Sequence, residues 1–380
     1  MAVLGARALI DLAIPTGLDS GEILKFELQD GRTAQQVIAE AAAMIGNINE
    51  ELSQDYGGLM RFTEDQFARY RQGEGSRSMT PRKVEFKRAD GVRSDTIGHM
   101  LPLHDYEDAV EWTPLYLRRA YETQINADLQ LISDRWRNRV DYEIITRALT
   151  NTENSIGDSG YDVPWAIGTG MNVNFIPPQV GATQFDSDHT HFVVVDSSGD
   201  DGYDDLIEDM MLDLRHHGIG GTLVALVAFD DVAEYSTFST SGEFVELNPA
   251  GLTVIAGSSS APVRVTAGET DGIPGELFGY WKSKHYGVCE LRSHDRVPSG
   301  YAFMTKSHGV KNARNGLAVR MEPGIGFGLR VSPQATSSIN PELDFIKFEA
   351  THGVGVNDRI NGVAGYIASA AESWVNPTIS

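Results

Sequence analysis

The sequence of 380 residues predicts an α+β fold, on three observations. A stretch of 36 residues after Thr113 carries one apolar stripe that no Gly or Pro interrupts beyond its opening Pro114. A charged, alternating segment over 77–100 reads as a β-hairpin. A helix–strand–helix order over 203–238 leads into short strands separated by Gly and Pro. Helices and strands that segregate along a chain in this way point to mixed layers rather than to a bundle or a sandwich.

The elements follow in order. Residues 33–52 are Ala-rich, with Val37, Ala41, Met44, Ile45 and Ile48 at helical spacing and Thr33 as a cap. An extended arm precedes this helix. In the hairpin, Lys83-Val84-Glu85-Phe86-Lys87 alternates charged and apolar residues, and Asp90-Gly91 supplies a tight-turn pair. A lone hairpin is marginal in water, so this one is expected to lie on another surface, and its charge calls for an acidic one.

Thr113-Pro114 then reads as a cap followed by proline at the first helical position. Leu117, Tyr121, Ile125, Leu129, Ile132, Trp136, Val140, Ile144 and Ala148 form the inward stripe. Arg118, Glu122, Asp128, Arg135, Arg139 and Glu143 lie on the polar face. At 1.5 Å per residue such a helix is about 54 Å long, beyond the width of an ordinary domain. The stripe lacks the sustained heptads of a coiled coil, so the helix is expected to lie across a sheet or an extended subunit.

Residues 151–200 are turn-rich with one strand-like run, His191–Val195. Tyr203–His217 reads as a helix with Leu206, Met210, Met211 and Leu214 inward, and Thr222–Phe229 as a buried strand. A short helix at Asp231–Phe238 follows. The strands expected next are Thr253–Ala256, Val263–Thr266, Glu276–Trp281, Gly287–Arg292, Gly300–Lys306 and Leu317–Met321. Leu343–Glu349 and Gly362–Ile367 close the chain as strands flanking a turn-like Thr351–Arg359.

Composition limits the function. Apolar residues make up 41%, enough for a core, which excludes a wholly disordered chain. Lys and Arg number 31 against 53 Asp and Glu, a net charge of −22. A sequence-reading nucleic-acid binder needs a basic footprint instead. The one cysteine, Cys289, excludes an internal disulfide framework and a cysteine-based zinc cage. The opening MAVLGARALIDLAIPTGL is interrupted by Arg7 and Asp11 and does not read as a signal peptide. No apolar run is long enough to span a bilayer as a helix.

The charge is uneven. Residues 151–250 hold 1 basic and 18 acidic side chains, net −17. Between Arg61 and Arg93 nine basic residues stand against five acids, net +4. Opposite surfaces attract, so the hairpin residues Arg82, Lys83, Lys87 and Arg88 are the expected subunit contacts. Two solvated surfaces with no partner are the alternative.

Candidate chemistry is sparse. The run Asp196, Asp200, Asp201, Asp204, Asp205, Glu208 and Asp209 fails the calcium-loop template, and its later members fit the first turns of a helix, where the dipole favours acids. Asp186, Asp188, His189 and His191 form a second cluster, with the two histidines on one strand face as zinc ligands sometimes are, but no third ligand stands out. His216-His217 suits a helix C-terminus. Ser239, Ser241 and Ser258–Ser260 lie outside any nucleophile-elbow motif, and the glycines of 218–221 and 324–328 form no phosphate loop. Cys289 reads as a packed strand residue. No catalytic constellation emerges, and no cofactor or metal is expected.

The order of these elements resembles the major capsid protein of tailed double-stranded DNA phages, the Hong Kong 97-type capsid fold. An arm and helix (1–55) come first, then an extended charged hairpin loop (56–112). A long spine helix from Thr113 follows, with the first part of a peripheral domain (113–200), and then an α/β axial domain (201–340). Closing peripheral strands (341–380) include the run GVGVNDRINGV. The resemblance implies a non-enzymatic subunit that assembles into pentamers and hexamers of an icosahedral shell around DNA, without sequence-specific binding and without a membrane. It implies assembly in a host cytoplasm, a virion location, and scaffolding, portal or decoration proteins as further partners. An encapsulin-like compartment shell and a divalent-metal hydrolase on Asp186, His189 and His191 are the alternatives. Some family members join a loop Lys to an Asn of a neighbour. Lys83, Lys87, Asn357 and Asn361 are the right types here, without a motif that aligns them.

Overall fold

A computed structural model describes residues 28–72, 95–112, 114–117, 119–155, 161–167, 190–196, 202–218, 220–236, 242–246, 253–255, 263–265, 270–333, 344–369 and 373–379. The chain forms two compact units, each assembled from separated segments. The first unit comprises Met1–Gln54, Leu103–Asp141 and Met321–Gly353; the second comprises Asp55–Pro102, Tyr142–Arg320 and Val354–Ser380.

In the first unit, the arm helix Ala34–Asp55 starts with a reciprocal cap. The Gln36 N–H donates to Thr33 Oγ1 at 3.3 Å and the Thr33 N–H to Gln36 Oε1 at 3.1 Å, which satisfies two N–H groups that a helix start leaves open. Val37, Ala41, Ile45, Ile48 and Leu52 are buried, whereas Met44, expected inward, is exposed.

The predicted 36-residue helix is interrupted. A single turn, Pro114–Leu117, is followed by a break, and the long helix runs Glu122–Leu149, its residues up to Asp141 belonging to this unit and the rest to the second. The arm explains where it starts. Asp30 accepts the Glu122 N–H at 2.9 Å, Arg32 pairs with the Glu122 carboxylate, and the Gln29 N–H donates to Ala120 O at 3.2 Å. Tyr121 therefore lies before the helix and is exposed, while Ile125, Leu129, Ile132, Trp136, Val140, Ile144 and Ala148 are all buried as expected.

This unit also holds an antiparallel sheet. The strand Asp344–Val356 pairs with His104–Trp112 along nine residues and with Arg330–Pro333 on its other side. Its residues up to Gly353 belong to this unit. The strand continues through the segment expected to be a turn, because Ala350, Thr351 and His352 keep the ladder with Tyr106, Asp105 and His104. One face carries Tyr106, Trp112, Phe348 and His352 against Trp136, whose ring lies edge-on to His352 at 5.0 Å. Asn49 fixes the glycine loop after Met321. It donates to Leu329 O at 2.8 Å, and its Oδ1 accepts from Leu329 N at 2.9 Å and from Trp136 Nε1 at 3.1 Å.

The second unit is built on a seven-stranded mixed sheet. Its order is Phe192–Asp196, Val363–Ala368, Tyr301–Ser307, Thr222–Ala228, Gly287–His294, Glu276–Ser283 and Gly242–Glu246. The central strand Thr222–Ala228 is buried at every position but its first, which accounts for its unbroken apolar sequence. The helix Gly202–His216 covers one face through Leu206, Ile207, Met210, Met211 and Leu214. Trp165, stacked on Phe303 at 5.5 Å, and Trp374, against Tyr301, Tyr366 and Phe192, lie on the other. Gly242–Glu246 is a strand that no sequence signal announced, and the predicted helix at Asp231–Phe238 is one short turn, Val232–Tyr235.

Candidate functional site

The four expected subunit-contact residues, Arg82, Lys83, Lys87 and Arg88, lie outside the described residues, as does the Asp90-Gly91 turn. The base of their hairpin is described. Phe67–Gln72 and Asp95–Met100 pair antiparallel with Phe67 opposite Met100 and Gln72 opposite Asp95. This base is fastened at several points. A Cβ on Gly98 would collide with the Ala68 backbone, so no side chain fits there. The His99 Nε2–H donates to Val356 O at 2.5 Å, and Arg320 Nη1 donates to Leu101 O at 2.9 Å. Ala68, Leu101 and Ala318 pack together, and Gly355 leaves room for Pro102. His99 is buried, and burial lowers its pKa to about 4, so it is neutral and holds this contact as a neutral donor.

Next to that base lies the closing turn Asn357–Gly362, the centre of the GVGVNDRINGV run. Nearly every polar side chain in it is spent on backbone groups. Asn361 Oδ1 accepts from Lys306 N at 3.2 Å, and its Nδ2 donates to Lys306 O at 3.1 Å and Arg314 O at 3.0 Å. Asn357 Nδ2 donates to Asn315 O at 2.7 Å and Ala313 O at 3.0 Å. Arg359 Nε donates to Pro164 O at 2.9 Å. Gly362 lies under the Trp165 indole, where a Cβ would come within 2.5 Å of the ring. Burial raises the Asp358 carboxyl to about 6, against the opposing effects of the Ile360 N–H and Arg314. The turn therefore ties the hairpin base to the sheet. Both asparagines weighed as cross-link partners are committed to structural hydrogen bonds.

The other candidates resolve as packing. Of the acidic run, Asp204 and Asp205 lie in the first turn of the helix Gly202–His216. Glu208 is buried and accepts from Trp281 Nε1 at 2.8 Å and Ser283 Oγ at 2.7 Å, a partnership that sequence spacing does not reveal. Asp205, Asp209 and Asp213 follow at i, i+4 and i+8. Burial first, and then Asp209, raises Asp213 to about 7. Asp200 and Asp201 lie outside the described residues, as do Asp186, Asp188 and His189. His191 is buried; its Nδ1–H donates to Gly362 O at 2.7 Å, so its Nε2 accepts from His217 Nε2–H at 2.9 Å. Among the described residues no group of three or more His, Cys, Asp or Glu could hold a metal ion. Cys289 is buried in the sheet, and burial pushes its thiol well above the ordinary range, away from nucleophilic reactivity. Ser239, Ser241 and Ser258–Ser260 lie outside the described residues. Gly324, Gly326 and Gly328 have positive φ of 79°, 87° and 131° and shape the loop that Asn49 holds. No helix among the described residues is long and apolar enough to cross a membrane.

One feature was not anticipated. His104–Trp112 is an edge strand with exposed carboxylates, and among the described residues it pairs only with Asp344–Val356. Its outward face carries Asp105, Glu107, Ala109 and Glu111. Lys347 bridges Glu107 and Glu349 there, and Thr351 Oγ1 donates to Asp105 at 2.9 Å.

No protein-family model matches the sequence, and no curated protein matches it. Solved structures do. A structure from Mycobacterium phage Patience aligns over 93% of this chain and 93% of its own, with a TM-score of 0.61 and 16% identity. The capsid of cyanophage P-SCSP1u aligns over 83% of this chain and 89% of its own at a TM-score of 0.47 and 8% identity. The mature capsid of bacteriophage PhiM1 aligns over 82% and 86% at 0.46 and 7%. The last two scores are too low to carry an argument about fold. The first is not, and the resemblance to the phage shell proteins is borne out there as a likeness in fold: the chain has the fold of a structure from Mycobacterium phage Patience.

Proposed function

We propose that the chain is a major capsid subunit, which self-assembles through pentamers and hexamers into an icosahedral shell around double-stranded DNA and has no enzymatic activity. The observation that carries this reading is the likeness in fold to a phage structure over 93% of both chains. Two further features support it. The hairpin base and the closing turn form one hydrogen-bonded block, which suits a projecting loop that must bear load from a neighbour. The acidic bias, net −17 over residues 151–250, suits a container that holds DNA without gripping its phosphates. In this reading the shell is the virion capsid, built in the host cytoplasm. Its basic hairpin, with Arg82, Lys83, Lys87 and Arg88, lies over acidic surface of an adjacent subunit.

Size-exclusion chromatography with light scattering on the purified chain tests the proposal. Capsomers or larger closed particles in equilibrium with subunits are expected. A 41.5 kDa monomer at every concentration and ionic strength would overturn it.

A further inference from the structure

We propose that the sheet face around Phe192, Tyr301 and Tyr366 is a peptide-binding site. Its ligand is the segment Trp374–Asn376, which acts as a releasable strap over the end of the long helix.

Strand register builds the site. Tyr301 pairs directly with Tyr366, and Phe192 pairs with Ala364, two residues before Tyr366 on the same strand. Alternation therefore puts Phe192, Tyr301 and Tyr366 on one face, while Val193, Val363 and Ile367 pack toward the helix Gly202–His216. The two tyrosine rings stack with centroids 4.5 Å apart. Trp374 stands edge-on to all three rings, at 4.9 Å from Phe192, 5.8 Å from Tyr301 and 6.3 Å from Tyr366. The ring quadrupoles favour that arrangement.

Polar groups fix the ligand's position. The Tyr301 hydroxyl donates to Val375 O at 3.0 Å. Asn376 Oδ1 accepts from Trp374 Nε1 at 3.0 Å and from the Asn151 N–H at 2.9 Å. Three consecutive residues thus supply an indole to an aromatic socket, a carbonyl to a phenol and an amide oxygen to the residues just past the helix. Asn151 lies two residues beyond Leu149, where the long helix ends. Trp165 Nε1 donates to Ala148 O at 2.9 Å in the helix's last turn. Two tryptophans on one sheet face therefore hold this helix end, one from the core and one from the surface.

The surface one is built to release. Trp165 is fully buried, whereas Trp374 is partly buried and Val375 is 52% exposed. The strap belongs to no helix or strand, so it leaves without breaking a ladder. Pro377 biases Asn376 toward extended backbone, so the free segment is preorganised and loses little entropy on binding.

Amide exchange and peptide rescue test the strap. In the full-length chain, Trp374→Ala is expected to speed exchange of the Asn151 amide about tenfold. A synthetic peptide of residues 373–379, Ser-Trp-Val-Asn-Pro-Thr-Ile, should bring the rate back to within about twofold of wild type. The same peptide carrying Trp374→Ala should not. By fluorescence anisotropy the labelled peptide should bind the variant about tenfold more tightly than wild type, whose own strap competes. Failure of the peptide to slow exchange, or equal action of the two peptides, would overturn the site. Asn376→Ala leaves the indole seated and covers the case in which Trp374→Ala unfolds. It should speed Asn151 exchange about tenfold while the amides of Ile144–Ala148 stay as in wild type. Unchanged exchange at Asn151 would overturn the strap. These measurements need no assembly, so their outcome is separate from that of the shell reading.

Discussion

Asn361 gives the sharpest single-residue forecast. The strand Val363–Ala368 pairs with Tyr301–Ser307 only as far as Met304, opposite Val363. Beyond that point the Asn361 side-chain amide takes the place of a peptide unit, accepting from Lys306 N and donating to Lys306 O and Arg314 O. The side chain is fully buried. Asn361→Ala would leave three backbone groups without these partners. Each buried group so stranded costs about 1–3 kcal/mol, and partial relaxation or water entry lowers the sum, so a loss of about 3–5 kcal/mol is expected. That is a large part of the 5–15 kcal/mol typical of a folded domain. Asn361→Asp should be worse at neutral pH, since a carboxylate would face two carbonyl oxygens, and should recover in part in acid, where a protonated oxygen can donate once. Urea unfolding of subunits, followed by the emission of Trp165 beside Gly362, measures this. A loss under 1 kcal/mol for the alanine variant, or no pH dependence for the aspartate variant, would refute the reasoning.

Two other outcomes follow from the same kind of contact. Asp213→Asn should flatten part of the pH profile: the native carboxyl is raised to about 7 from 3.8, so the folded state holds its proton more tightly and stability falls as pH rises through that window. The variant should be more stable than wild type above pH 7 by denaturant midpoint and no different near pH 3; equal profiles would count against the burial argument. Asn49→Ala should cost about 2–3 kcal/mol and speed amide exchange in 321–329, because it removes both bonds to Leu329 and the one from Trp136; unchanged exchange in that loop would show that its glycine turns hold it alone.

Much of the fold was legible where the period was long or the apolar run unbroken. The stripe from Ile125 to Ala148 and the strand Thr222–Ala228 are both found where the sequence puts them, because each buries a continuous surface. What was hidden depends on partners far along the chain. The long helix starts at Glu122 rather than Pro114 because Asp30 and Arg32, about ninety residues earlier, engage its first turn. The strand His104–Trp112 was missed because Asp108 interrupts its inward alternation; that carboxylate is held there by Arg135 and the Ala109 N–H. The run GVGVNDRINGV was visible as a motif, but its purpose was not: Asn361 mimics a peptide and Gly362 makes room for Trp165. The residues proposed for subunit contact were readable as charge alone, and the acidic face of His104–Trp112 became visible only once strand register separated Glu107 and Glu111 from Asp108.

Cryo-electron microscopy of particles formed by the purified chain puts the shell proposal to its plainest trial. Closed shells with fivefold and sixfold clusters of this subunit are predicted. A field of discrete, unassociated subunits under conditions that span salt and concentration would contradict it.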